Sequence, residues 1–378
     1  MPKGSVRKRD NTWYYRFYEN GKLIERSGGK TKNEALKKLN EELNRQYKGF
    51  SRPEEMLFSD YLIMWLENYI KYDKSPNTYY KYQTSISARI IPYLGHIKLC
   101  DMKVMHIENF LRELRNDSLN STSVQEYYGV VNSALNRAVK LQMIITNPCK
   151  YIDPPKRNNY KASILELEEI NLICTKLDPS IYGDYIFKLG LDLTIETGLR
   201  RGEMCGLTWE DIDFPNKCLH VNQSLIRIGK DYTISKLKTQ GSYRTIPISD
   251  SLLKKLESHK IRQKENKLLY GEFYITPSFN GRSYDLLFRK ENGDFIIPSR
   301  FLQRLKRLCK SNNIEKNIRW HDLRHTNATL LLQSGVNMKV VQDRLGHSLM
   351  QTTADTYSHV TKKMNREATD KLTNLLNF

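Results

Sequence analysis

The stretch Glu196-Thr197-Gly198-Leu199-Arg200-Arg201-Gly202-Glu203-Met204-Cys205-Gly206-Leu207 sets a glycine-containing turn directly before a helix, with Arg200 near the helix start. An arginine fork there can make two parallel bonds to a phosphate, and Glu203 can fix its direction. Taken alone, the same residues describe an exposed helix start equally well. Three later stretches add to it. Ser235-Lys236-Leu237-Lys238-Thr239-Gln240-Gly241-Ser242-Tyr243-Arg244-Thr245-Ile246-Pro247-Ile248 reads as a strand, a tight turn and a strand, with Lys238 at the turn. His321-Asp322-Leu323-Arg324-His325-Thr326 opens an apolar helix that stops at Gly335, and His321 and Arg324 are spaced to project from one face of its first turn. Leu345-Gly346-His347-Ser348 then places a histidine after a glycine turn, and Tyr357 follows ten residues later.

Around these stretches the segment from about Ala162 onward opens with helices. It alternates between Leu219 and Ile248, where a β-hairpin or three-stranded sheet is expected, and returns to helix toward the C-terminus. Ahead of it, Pro154-Pro155-Lys156 and Asn147-Pro148 mark a linker. Residues from about Phe58 to Tyr151 show helical periodicity with caps at Ser59, Ser75-Pro76 and Ser121, which predicts a bundle of four or five helices. Tyr79, Tyr80 and Tyr82 are read there as packing residues, not base readers. Ser51-Arg52-Pro53 is a further linker. Before it, Trp13 to Ile24 is aromatic and β-branched, broken by Asn20-Gly21, a hairpin signal. Thr31 and Glu34 then form a capping box ahead of Ala35, Leu36, Leu39 and Leu43.

The fold class expected is therefore multidomain α+β. Residues 1–50 form a small hairpin or three-stranded-sheet-plus-helix domain, residues 57–153 an all-α domain, and residues 160–378 a mainly helical domain with a small antiparallel sheet.

The chain has 378 residues, 39% of them hydrophobic, enough for two or three domains with their own cores. Lysine and arginine number 61 against 42 acidic residues, a formal charge of +19, which points to a polyanionic partner. Lys3, Arg7, Arg9 and Arg16 crowd the N-terminal sheet, and Lys81 and Arg89 lie in the helical segment; these are the candidate DNA contacts. The six cysteines form no CxxC pair and no short-spaced framework, so neither a zinc knuckle nor a disulfide scaffold is expected and a reducing cytoplasm fits. Neither a secretory leader nor an apolar run of about 18 residues is found, so no membrane association is expected.

Taken together, Arg200, Lys238, His321, Arg324, His347 and Tyr357 resemble, in order, spacing and context, the catalytic residues of the tyrosine recombinases, the family of phage and transposon integrases. By that resemblance Arg200 and Arg324 are the phosphate-binding arginines and His347 a further hydrogen-bond donor to phosphate. Lys238 is the hairpin lysine, with Lys236 as its alternative, and Tyr357 is the nucleophile. Glu203 matches the acidic position that supports the first arginine. The resemblance covers nearly the whole chain, because integrases carry an arm-type DNA-binding domain and a helical, SAM-like core-binding domain ahead of the catalytic one.

It implies a site-specific recombinase that cleaves and rejoins double-stranded DNA through a 3′-phosphotyrosine and a Holliday junction, to integrate and excise a mobile element. It further implies a homotetramer on core-type and arm-type sites, an accessory bending or excision factor, and residence in the bacterial cytoplasm, at the nucleoid when DNA-bound. No cofactor, ATP or metal is expected: the chain has no GxxxxGK[ST] loop, and cationic side chains take the charge-neutralising role of metal ions.

Tyrosine has an ordinary pKa of about 10, so Tyr357 needs a base or nearby cations to attack at neutral pH. His321 is the candidate proton acceptor and Lys238 the candidate donor to the leaving 5′ oxygen. Beyond Tyr357, the apolar stripe of Val360, Met364, Ala368, Leu372, Leu375 and Leu376 either packs on its own domain or docks on a neighbouring protomer. Two rivals explain less. A metalloprotease reading of His321-Asp322-Leu323-Arg324-His325 puts the Arg324 charge beside the metal and lacks an acidic third ligand. A non-catalytic helix-turn-helix regulator around Gly335 leaves six coincident residues unexplained.

Overall fold

Three antiparallel strands, β1 (Ser5–Arg9), β2 (Thr12–Glu19) and β3 (Lys22–Gly29), begin the chain, in the order β1-β2-β3. The computed structural model describes residues 4–19, 22–47, 56–156, 162–237, 239–346 and Thr373. Asn20-Gly21 falls outside them, although β2 and β3 pair up to Glu19↔Lys22, the register of a two-residue connection. Helix α1 (Lys32–Tyr47) follows. Its entry is closed as a capping box: the Glu34 amide donates to Thr31 Oγ1 at 3.2 Å, and the Thr31 amide to the Glu34 carboxylate at 3.4 Å. Tyr15, Phe17 and Leu39 form the small core between sheet and helix.

The chain divides into two units, residues 1–159 and 160–378. The first unit also holds a helical bundle with a core of its own. Its first helix runs through α2 (Phe58–Trp65), a π-helical turn at Leu66–Ile70 and α3 (Lys71–Asp73). The second runs through α4 (Pro76–Ser85), a π-helical turn at Ile86–Ile90 and α5 (Ile91–Leu94). Helices α6 (Val104–Asn116) and α7 (Ser121–Lys140) complete it. Ile107, Phe110, Leu111 and Leu114 of α6 recur at spacings of three and four, so one face is buried.

Two caps differ from expectation. Ser75 does cap α4, but Asn120, not Ser121, caps α7, and Leu57 precedes α2 with no side-chain cap, so Ser59 and Ser121 lie inside their first turns. Asparagine competes well at an N-cap because its carbonyl reaches the Ser123 amide, here at 2.8 Å. Tyr82 stacks on Trp65, and Tyr79 donates to Glu67, which are packing roles.

The second unit is built on α8 (Leu167–Thr175), α9 (Tyr182–Thr197), α10 (Arg201–Gly206), α11 (Asp250–Tyr270), α12 (Ser299–Ser311), α13 (Trp320–Gln333) and α14 (Met338–Leu345). Strands β4 (Ile212–Asp213), β5 (Cys218–Val221) and β8 (Arg244–Pro247) make one sheet, and β6 (Gln223–Ile228) and β7 (Asp231–Lys236) another. A two-stranded β9 (Ser278–Phe279) and β10 (Arg282–Ser283) ribbon lies between α11 and α12.

The strand-turn-strand expected over Ser235–Ile248 is corrected here. The tight turn is at Gly229-Lys230, between β6 and β7, and β8 leaves β7 to pair with β5, Leu219 opposite Ile246. Both of those side chains are fully buried, so core burial, not chain proximity, chooses the partner of β8. No helix among the described residues is long and apolar enough to cross a membrane.

Candidate active site

Helix α9 ends at Gly198 in the left-handed region (φ 68°), a C-cap that glycine adopts without strain. The chain then extends through Arg200, the residue before α10. Glu203, one turn into α10, bonds back to it twice. Its carboxylate accepts from the Arg200 backbone amide at 2.9 Å and from Arg200 Nη1 at 2.7 Å. The local sequence Arg-x-x-Glu thus caps the helix and aims the guanidinium in one motif.

Glu203 is 2% exposed, and its Oε2 also accepts from Arg244 Nη2 at 2.8 Å. Burial alone would raise the Glu203 pKa, but Arg244 and then Arg200 overcome that and hold it at about 2. The Arg200 side chain stays about a third exposed, so its outer N–H groups remain available to an anion.

Helix α13 clamps this turn from the other side. Arg324 is 1% exposed; its Nη1 donates to Gly198 O at 2.9 Å and its Nη2 to Leu345 O. One turn on, Asn327 Nδ2 donates to Ile195 O at 2.7 Å and Glu196 O at 3.0 Å, which satisfies carbonyls left free at the end of α9. Arg344 on α14 donates to Glu196 O as well, at 2.9 Å.

At the start of α13, His321 is solvent-accessible and meets His325 edge-on, ring centroids 5.1 Å apart. Desolvation by the surrounding protein, then the charges of His325, Arg324, Arg200 and Arg319, lower the His321 pKa to about 4. At pH 7 the imidazole is neutral and can accept a proton. Arg200 and Arg244 thus share one buried carboxylate, and the charges of Arg200 and Arg324 both reach His321, an excess of positive charge that suits an anion.

Lys3, Lys238, His347 and Tyr357 lie outside the described residues, as does the apolar stripe from Val360. Lys236 is the last residue of β7 and is exposed. Of the candidate DNA contacts, Arg7 and Arg16 both hold Glu25 on the sheet, Lys81 pairs with Glu126 and Arg89 with Asp117, while Arg9 is exposed at the end of β1. Exposed pairs of this kind are weak, because water screens the charges.

Sequence reasoning missed Arg244, Asn327 and Arg344. Arg244 carried a legible signal: it stands in the same strand register as the inward Ile246 and Ile248, where a charge needs a buried partner. Asn327 and Arg344 carried none, because their partners are backbone carbonyls far away in sequence. Asp213, Cys218 and His220 are the one group among the described residues whose spacing suits a metal ion, on β4 and β5. There the Asp213 carboxylate already accepts from Asn216, and His220 Nδ1 is bonded to Thr245.

Residues 164–364 match the phage integrase family, and residues 57–115 match the phage integrase N-terminal SAM-like domain. The chain is 31% identical over 379 aligned positions to a "Tyrosine recombinase XerC-like" protein of Caldanaerobacter subterraneus subsp. tengcongensis, covering 94% of this chain and 93% of that protein. It is 29% identical to the ICEBs1 integrase of Bacillus subtilis, over 80% of this chain and 79% of the relative. In fold it is similar to the Tn1549 transposon integrase solved with transposon right end DNA, with a TM-score of 0.70 at 21% identity, over 84% of this chain and 99% of that one. It is also similar to the lambda integrase tetramer bound to a Holliday junction, with a TM-score of 0.59 at 17% identity, over 91% and 95%. With a family match across more than half its length and a relative aligned almost end to end, this chain belongs to the phage integrase family of tyrosine recombinases, enzymes that cleave and rejoin DNA.

Proposed function

We propose that the chain is the integrase of a mobile element and that Tyr357 is its nucleophile. Its hydroxyl attacks the scissile phosphorus, the bond from phosphorus to the 5′ oxygen breaks, and a 3′-phosphotyrosine and a free 5′-hydroxyl result. His321 takes the tyrosine proton and Lys238 gives one to the departing 5′ oxygen. Arg200, Arg324 and His347 bind the non-bridging oxygens more tightly as charge builds on them than in the starting diester. Attack by a partner strand's 5′-hydroxyl reverses the step and rejoins the DNA through a Holliday junction. The bond energy is retained in the phosphotyrosine, so no ATP enters.

The observation that carries this reading is the buried Glu203 carboxylate aiming a partly exposed Arg200 beside a neutral His321. The net charge of +19 supports DNA as partner. We assign residues 1–50 to arm-type DNA, with Lys3, Arg7, Arg9 and Arg16 as contacts. Residues 57–153, with Lys81 and Arg89, are assigned to the core site, and residues 160–378 to catalysis. A homotetramer would act on paired sites in the bacterial cytoplasm, at the nucleoid, with an accessory bending or excision factor.

A suicide substrate nicked near the cleavage point tests the assignment: wild type should trap a covalent complex, and Tyr357→Phe should bind but trap none. Trapping by Tyr357→Phe would overturn it. A 5′-bridging phosphorothiolate, whose sulfur leaves without a proton, should rescue Lys238→Ala, and absence of rescue would remove Lys238 as the acid.

A further inference from the structure

We infer that Arg244 is a positioning residue of the recombination site: it partitions the Glu203 carboxylate so that Arg200 faces outward, and it ties that carboxylate to the end of α14. The inference rests on the role proposed above for Arg200. The Arg244 side chain is almost fully buried and uses its guanidinium on three parts of the chain at once. Nη2 donates to Glu203 Oε2 at 2.8 Å, Nε to Arg344 O at 2.9 Å, and Nη1 to Ser242 O at 3.0 Å. The first partner supports Arg200. The second lies in the last turn of α14, after which Gly346 and His347 follow in sequence. The third is in the connection between β7 and β8 that carries Lys238.

Gly346 shows how close this joint is. It has φ 65°, and a Cβ there would meet Gly241 O at 3.0 Å and Arg244 Cδ at 3.2 Å. The end of α14 is therefore seated directly on the 241–244 connection, with Arg244 as the link between them.

The division of the carboxylate matters for Arg200. Glu203 Oε1 holds Arg200 Nη1, while Oε2 is occupied by Arg244 and the Arg200 backbone amide. The Arg200 guanidinium is thus bonded to the carboxylate through Nη1, and its side chain keeps about a third of its surface exposed. Without Arg244, a buried carboxylate keeps its charge with one cation left, and the favourable response is a bidentate grip by Arg200. That grip would withdraw N–H groups from the phosphate while leaving the other DNA contacts in place.

Cleavage of the suicide substrate at saturating protein tests this with Arg244→Met and Arg244→Lys, alongside core-site affinity and melting temperature. For Arg244→Met the maximal cleavage rate should fall about 100-fold, as for loss of one preorganised donor, with affinity changed less than about threefold. Arg244→Lys restores the charge but not the three-way reach, so it should recover part of the rate. A neutral methylphosphonate at the scissile position supplies the readout that a merely structural brace would not move. It has one fewer anionic oxygen for Arg200 to bind, so the ratio of wild-type to Arg244→Met rates should shrink at least tenfold.

An unchanged ratio on the methylphosphonate, or a loss confined to affinity, overturns the inference. If Arg244→Met does not fold, the same ratio measured with Arg244→Lys decides. Wild type that traps no complex refutes the underlying assignment of the site. Wild type that traps normally, with Arg244→Met unimpaired, refutes only the role of Arg244.

Discussion

Glu203→Gln removes one charge and almost no volume from the centre of the site, and its cost can be worked from the structure. The Glu203 carboxyl is held at about 2 against an ordinary 4.5. At about 1.4 kcal/mol per tenfold, that difference is about 3 kcal/mol of folding stability at pH 7. The lowered value means the contribution is present above the unfolded pKa of 4.5 and is lost as pH falls through the folded value of about 2. By the same linkage about 1 kcal/mol should remain at pH 3. Leaving buried Arg244 without its counter-charge sets an upper end of about 5 kcal/mol at neutral pH.

Amide hydrogen exchange across α10 and β8 measures this locally, with peptides from α6 in the other unit as an internal reference. The wild-type minus Glu203→Gln difference should be about 3 kcal/mol at pH 7 and shrink by more than half at pH 3. A difference below about 1 kcal/mol at pH 7, or one equally large at pH 3, refutes the reasoning that Arg244 and Arg200 stabilise an ionised Glu203.

Three further outcomes follow from the same neighbourhood. Gly198→Ala forces a side chain into φ 68°, with its Cβ 2.5 Å from Leu345 Cδ2 and 2.8 Å from Asn327 Oδ1. The expected loss is about 1–3 kcal/mol, and an unchanged melting temperature would contradict it. Asn327→Leu keeps the volume but strips the Ile195 and Glu196 carbonyls of donors, at about 1–3 kcal/mol; protection of the end of α9 that matches wild type would argue against the clamp. For the pH dependence of kcat/KM, which reports the free enzyme, the lowered His321 pKa predicts activity flat from pH 8 to about 6 and lost only as pH falls toward about 4. An acid limb centred near about 6.5, the value of an unperturbed histidine, would refute the lowering of the His321 pKa by burial and its cationic neighbours.

The local devices of the fold were legible because they are made between near neighbours. Thr31 with Glu34 and Arg200 with Glu203 are caps three residues long, and Gly198, Gly335 and Gly346 mark turns by their conformational freedom. The helices of the 57–153 segment announce themselves through a period of three to four. The Asn20-Gly21 signal gave the pairing of β2 with β3, but in the second unit the strands were legible as strands and not as pairs. Alternation says that Ile246 faces a core; it does not say which strand lies beside it, and β8 passes over its sequence neighbour β7 to reach β5.

Chain order and residue type alone determined the family and the α+β class, and they singled out Arg200, His321 and Arg324 as candidates, because a reaction at phosphate draws on few side-chain types and their spacing along turns and helix starts is read directly. Only the tertiary structure decided what holds them. Glu203 is shared by Arg200 and Arg244, Arg324 spans Gly198 and Leu345, and Asn327 and Arg344 close on the end of α9. Those bonds join residues up to 148 positions apart. They form because a buried charge or carbonyl must be satisfied by whichever group the packed core brings to it, and linear spacing carries no record of that choice.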